Sequence, residues 1–153
     1  MARHEKLIAG VLGIVFNTEG QVLLTKRYEP EVPHEHSKWQ LPGGALEHGE
    51  HPEDTLKREI KEELGLGGEI ISPGPIIRSV VSESEKQLTH LIMFAYIIRL
   101  LDMATIDISN DPQATEFDWF NIDSLGEMET LPLVPGIVKE AKNRLSLIEK
   151  QNV

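Results

Sequence analysis

Apolar residues along the chain fall into recognisably different rhythms. From Leu7 to Phe16 they run almost without interruption, Asn17-Thr18-Glu19-Gly20 has the composition of a turn, and Gln21-Val22-Leu23-Leu24-Thr25 resumes the run. This pattern predicts two strands joined as a hairpin. From Pro52 the rhythm changes: Leu56, Ile60 and Leu64 recur every four residues and make one stripe of a helix. Pro52 suits the first helical position, where its missing N–H costs nothing, and Glu53 and Asp54 suit the positive end of the helix dipole. Gly65 supplies a left-handed stop, so the helix is expected over 52–64.

Gly67-Gly68 then turns the chain into Glu69-Ile70-Ile71, and Pro73-Gly74-Pro75 breaks it before Ile76 to Val81. Ser82 to Lys86 has the polarity of a hairpin tip ahead of a long apolar strand from Leu88 to Leu100, and both flanking segments are expected as core strands. Asp107 to Ala114 is polar with an Asp-Pro turn; Thr115 to Phe120 is a late strand followed by a turn. Val134, Ile137, Val138, Ala141, Leu145 and Ile148 keep helical spacing, with Pro135 near the start. A closing amphipathic helix over 133–148 follows, with a fraying tail from Lys150. Tyr28 to Lys38, with two prolines and no periodicity, is a loop.

The chemistry lies on the first helix. At about 100° per residue, Glu59, Glu62 and Glu63 fall within roughly a quarter of its circumference, away from the apolar stripe. Like charges this close raise one another's pKa values unless a cation neutralises them. Mg²⁺, a hard ion bound through one or two carboxylates together with substrate phosphates, suits such a face. Arg58, on the flank, can pair with Glu62 one turn on. A solvated acidic helix face is the plainer reading of three glutamates. What overturns it is the approach Leu41-Pro42-Gly43-Gly44, whose glycines bring backbone close to the carboxylates, and the separately spaced Glu50.

The stretch from Gly44 to Leu66 resembles the Nudix box, G-x5-E-x7-R-E-U-x-E-E-x-G-U with U a bulky aliphatic, and Ile60 and Leu66 fill the aliphatic places. All nine defined positions match. Chance would give this on the order of 10⁻⁶ of the time or less at ordinary residue frequencies. The resemblance implies an α/β/α sandwich, a mixed β-sheet flanked by helices, and hydrolysis of a P–O–P bond in a nucleoside diphosphate linked to another group. It implies that Glu59, Glu62 and Glu63 carry Mg²⁺, with Mn²⁺ as a substitute and the Gly43 carbonyl as a further ligand. It gives Arg58 the task of orienting carboxylates, and Glu50 that of contacting metal-bound water or the loop. The base that deprotonates the attacking water is implied to be one of Glu59, Glu62 and Glu63 or else Glu116 from the late strand, which is also the candidate for an additional metal-ligating carboxylate; the alternative for Glu116 is a solvent-facing glutamate at a strand end. Gly44 and Trp39 are implied at the substrate, though a tryptophan there is as readily core. Lys26 and Arg27 end a strand that should run toward the site, so that either can meet a phosphate or else be a surface cation. Trp119 and Phe120 are expected in the core.

Composition narrows this further. At 153 residues, 40% hydrophobic and 26% charged, one domain spanning 1–153 is expected. The net charge of −10 argues against a nucleic-acid or anionic-membrane surface, so a phosphorylated small molecule needs bridging cations. The absence of cysteine excludes disulfides, thiolate catalysis and Cys-based zinc sites, and fits a reducing, cytoplasmic location. Arg3, His4 and Lys6 before the apolar run imitate a signal peptide, but no small-residue cleavage site follows. His34, His36, His48 and His51 lack fixed ligand spacing and are expected as solvated loop residues. Two other classes stand beside the hydrolase: a nucleotide-binding sensor, disfavoured by the complete set of box carboxylates, and an isoprenoid diphosphate isomerase, disfavoured by the missing cysteine. Related proteins often pair, so a homodimer is an expectation from the resemblance alone.

Overall fold

The computed structural model describes residues 3–151. The described residues form eight strands: β1 (His4–Val15), β2 (Val22–Arg27), β3 (Trp39–Gln40), β4 (Gly43–Ala45), β5 (Gly68–Ile70), β6 (Ile76–Glu83), β7 (Gln87–Leu100) and β8 (Ala114–Phe120). Helix α1 (Pro52–Leu64) follows β4, and α2 (Val134–Gln151) closes the chain. One sheet has the order β4-β1-β7-β5, with β6 also on β7, and the other is β3-β2-β8. β1 and β7 run parallel over twelve residue pairs from His4–Gln87 to Val15–Ile98, while the other pairings are antiparallel. This is the expected mixed sheet flanked by helices.

The long apolar run of β1 is explained by burial on both faces at its C-terminal end. Val11 and Val15 face α1 and pack with Leu56, Ile60 and Leu64, whereas Ile14 packs on the other side with Ile137, Val138 and Ala141 of α2. Each of the three α1 side chains is fully buried, contributing about 2 kcal/mol by removal from water. The ends of α1 fall where Pro52 and Gly65 put them: the glycine has φ 77° and donates its N–H to the Lys61 carbonyl at 3.0 Å.

Three expectations need correction. The turn at Asn17–Gly20 forms, with the Asn17 side chain accepting from Glu19 and Gln21, but β1 and β2 part after a single bridge between Phe16 and Val22. Both edges of β1 are already taken, by β4 and β7, so β2 belongs to the second sheet. β6 is not a core strand beyond its first residue: Ile76 is buried, but Ile77, Val80 and Val81 are exposed, because neither helix covers the outer half of this sheet. The closing helix continues through Lys150 and Gln151 instead of fraying there, and the rest of the expected tail lies outside the described residues.

Candidate active site

Strand β4 lays its glycines directly against β1, with Leu12 opposite Gly43 and Val11 opposite Gly44. The approach is too close for a side chain at Gly43: a Cβ there would sit 1.9 Å from the Val11 carbonyl oxygen. Two of the three helix carboxylates lie over these two residues. Glu63 accepts a hydrogen bond from the Gly43 N–H at 2.9 Å, and the Glu59 carboxyl lies so near Gly44 that a Cβ there would be 2.5 Å from its Cδ. The sequence placed these groups on one face, and the sheet brings the glycines beneath them.

Glu62 stands on the solvent side of the same face, and Arg58 lies between it and its neighbours. The guanidinium Nη1 is 3.3 Å from Glu59 and 3.2 Å from Glu62, and Nη2 is 3.0 Å from Glu50. The pairing with Glu62 is the expected one. Glu50 bonds to Arg58 through both oxygens, Nε–H donating to Oε2 and Nη2–H to Oε1, which assigns this glutamate a partner that its spacing did not disclose. Hydrogen bonding to Arg58 holds the Glu50 carboxyl below the usual range.

The electrostatics run the other way at the two inner carboxylates. Burial pushes Glu59 up, partly offset by Arg58. Burial first, and then the charge of Asp111, pushes Glu63 up to about 9. Glu63 so placed keeps its proton at neutral pH unless a cation joins it. Among the described residues no three acidic or histidine side chains converge on one point as they stand. The donor set is all oxygen, and a buried carboxylate whose ionisation requires a cation beside it fits a hard divalent ion. Glu59, Glu63 and Glu62, with the Gly43 carbonyl, are the groups that would hold one.

Beside these carboxylates opens a cleft of about 530 Å³, walled by Glu59, Glu62 and Glu63 on one side and by Asn110, Asp111 and Gln113 on the other. Nothing in the spacing of the 107–113 segment, legible only as a polar turn, indicates that it folds back here. It is anchored at both ends: Asp107 N–H donates to the Leu64 carbonyl at 2.8 Å, and Tyr28 N–H donates to the Gln113 carbonyl at 2.7 Å. Asp111 was missed for the same reason, since no spacing connects it to the helix.

The remaining candidates lie elsewhere. Arg27 is engaged by the loop that follows it: Nε donates to Glu29 at 2.7 Å, Nη1 to Gln40 at 2.9 Å, and Nη2 pairs with Glu35 at 3.1 Å. Glu116 is 3.7 Å from Lys26, whose Nζ lies 5.7 Å from the centre of the Trp39 ring; Trp39 in turn meets Phe120 edge to face at 4.7 Å. None of Arg27, Trp39 and Glu116 lines the cleft. Trp119 packs on the α1 side and Phe120 on the α2 side, both partly buried.

Arg58→Ala is expected to weaken the response to divalent metal more than it weakens the fold. It frees Glu50, Glu59 and Glu62 without touching the apolar stripe that packs α1 on the sheet. A metal titration of activity alongside thermal melting checks this, and an unchanged titration would remove the orienting role.

Comparison with known proteins bears on the family and the fold. The NUDIX domain model matches residues 6–140. An 8-oxo-dGTP diphosphatase of Haemophilus influenzae is 40% identical over 62 residues, covering 40% of this chain and 44% of that protein. An RNA pyrophosphohydrolase of Wolbachia pipientis subsp. Culex pipiens is 25% identical over an alignment that covers 100% of this chain and 98% of that one. Among solved structures, the MutT NUDIX hydrolase from Burkholderia pseudomallei superposes with a TM-score of 0.67 at 22% identity, covering 90% and 97% of the two chains.

Proposed function

The chain belongs to the NUDIX family, and on that premise we propose that it is a Mg²⁺-dependent pyrophosphohydrolase. Its substrate is a free nucleotide, a nucleoside diphosphate linked to a further group. The observation that carries this reading is the pair of inner carboxylates, Glu59 and Glu63, held side by side over the Gly43–Gly44 backbone at the mouth of a cleft. Magnesium bound there would neutralise the diphosphate and activate a water for in-line attack. The residues supply the rest. Glu63 is fixed by the Gly43 N–H and Glu59 by its seat on Gly44, while Arg58 holds Glu62 and Glu50 in register along the helix. Glu62, toward solvent on the same face, would take the proton of the attacking water. For Glu116 we propose charge compensation of Lys26 beside Trp39, since its carboxylate is turned to that lysine.

The choice of a free nucleotide over the 5′ end of an RNA rests on charge. The cleft carries Glu59, Glu62, Glu63 and Asp111 against Lys61, on a chain of net charge −10. A polynucleotide running out of such a cleft meets repulsion at each phosphate beyond the metal, whereas a small diphosphate ends before it. The absence of cysteine supports action in the cytoplasm. A panel of 8-oxo-dGTP, ordinary nucleoside triphosphates, nucleotide sugars, ADP-ribose, dinucleoside polyphosphates and 5′-triphosphorylated RNA, assayed with Mg²⁺, tests the proposal. At least one free nucleotide is expected to exceed the RNA in kcat/KM by about a hundredfold or more. Preference for the RNA would overturn the substrate class, and no hydrolysis of any member would overturn the activity.

A further inference from the structure

The wall of the cleft that faces the catalytic helix is firmly seated at one end only. There Asp107 is bound to Leu64, and Ile106 and Ile108 pack on the core beneath α1. Asn110, Asp111 and Gln113, which line the cleft, have no such seat. Among the described residues their hydrogen bonds stay inside the 107–113 segment, Asp111 N–H donating to the Ile108 carbonyl and Gln113 N–H to the Asp111 side chain, with one exception: the Gln113 carbonyl accepts from Tyr28 N–H. Directly afterwards the chain enters β8, where the register against β2 shifts and sets Ala114 opposite Arg27. The free end of the wall therefore stands where Arg27 and Tyr28 put it.

Tyr28 opens the loop 28–38, and that loop is organised round Arg27. The Arg27 backbone closes the neck, its N–H donating to the Lys38 carbonyl and its carbonyl accepting from Ser37 N–H, both at 2.9 Å. The guanidinium then reaches Glu29 at the start of the loop, Glu35 near its end, and Gln40 on β3. A rigid fork with donors in several directions is what three such partners require. Apart from local turns and the bond from Glu29 N–H to His36 Nδ1, little else keeps the loop in shape. No residue of 28–38 packs into either core, and Ser37 is held at φ 64°, a left-handed conformation rare for residues other than glycine.

We propose that Arg27 is a positioning residue for the hydrolysis, acting through Tyr28 to fix how far Asn110, Asp111 and Gln113 stand from Glu59, Glu62 and Glu63. This rests on the pyrophosphohydrolase reading above, which gives the wall a substrate to meet. The groups that would hold the metal belong to α1 and β4, and Arg27 touches neither. The wall faces them across the cleft, where the rest of a nucleotide extends. Loss of Arg27 therefore weakens substrate binding more than the chemical step, and a shift of about 1 Å in such a wall is enough for a large effect.

Arg27→Ala is expected to raise KM at least about tenfold for the panel nucleotide that the wild type hydrolyses fastest, with kcat within about threefold. In the metal-free protein, hydrogen exchange is expected to speed up at the amides of Asn110, Asp111 and Gln113 and across 28–38, but not along α1. Arg27→Lys keeps the charge but cannot span Glu29, Glu35 and Gln40 together, so it is expected to behave as alanine does. Glu35→Gln removes one tie and serves if neither Arg27 variant folds; it is expected to raise KM about threefold with faster exchange at the same amides. An unmoved KM would leave Arg27 a structural residue only. A KM restored by lysine, or wall exchange as slow as in the wild type beside a raised KM, would make it a charge that meets the phosphates itself. Each of these results overturns the proposal. A wild type that hydrolyses nothing would sink the activity instead, and the exchange comparison, which needs no turnover, would still judge the hold of Arg27 on the wall.

Discussion

Glu63→Gln is expected to lower turnover by at least about a hundredfold while leaving the fold intact, the scale for losing a metal-holding or acid-base group. The separation of the two effects follows from where this side chain sits. Glu63 is largely buried and accepts from the Gly43 N–H, and without a cation burial keeps it protonated, with a pKa of about 9. Glutamine has the shape of that neutral carboxyl and offers the same acceptor to Gly43, so the metal-free protein loses neither packing nor a hydrogen bond. What it loses is the capacity to become an anion when a divalent ion arrives. Magnesium or manganese binding followed by calorimetry should therefore weaken in step with kcat, while the melting temperature without metal stays put. Glu62→Gln is expected to lower turnover on the same scale from a more exposed position. Near wild-type hydrolysis by both variants would remove this helix face from the chemistry.

The second large effect is on stability, and it separates two adjacent glycines. Gly43→Ala forces a Cβ to within 1.9 Å of the Val11 carbonyl oxygen, a backbone atom held by the β1 pairings on both sides. The strand must move or detach, at a cost on the order of 3 kcal/mol, with a fall in melting temperature of about 10 °C. Gly44→Ala meets instead the end of a side chain, the Glu59 carboxyl at 2.5 Å, which can swing away. Its melting temperature is expected to change little, while turnover falls because Glu59 has lost its seat. Thermal melts and hydrolysis rates on the two variants check the contrast. Equal melting temperatures would show that β4 does not press on β1 as described.

Much of this protein is legible in its sequence. The limits of α1, the acidic face and the pairing of Arg58 with Glu62 depend on helical geometry, which is local and repeats with a fixed period, so residue types at fixed spacing suffice. The long β7 strand and the amphipathic α2 were readable for the same reason. Glu50 is visible as part of a motif but its partner is not, because it lies before the start of α1, outside the helical period that relates Arg58 to Glu62.

The errors have a common source. The turn at Asn17–Gly20 predicts a hairpin of β1 and β2, and the turn does form, but whether two strands stay paired depends on what else claims their edges, and β4 and β7 are distant in sequence. The apolar residues of β6 suggested core, yet burial of a strand is decided by what lies over it, and α1 and α2 stop short of its outer half.

The sequence by itself determined the helix that carries the chemistry, the number and charge of the groups on its working face, and the glycines beneath them, because each is a property of neighbours along the chain. Only the tertiary structure decided that Asp111 walls the cleft, that Glu116 turns to Lys26, and that the β6 edge is left open. Those contacts join segments tens of residues apart, and their geometry is set by how two sheets share a core between two helices, which no local spacing encodes.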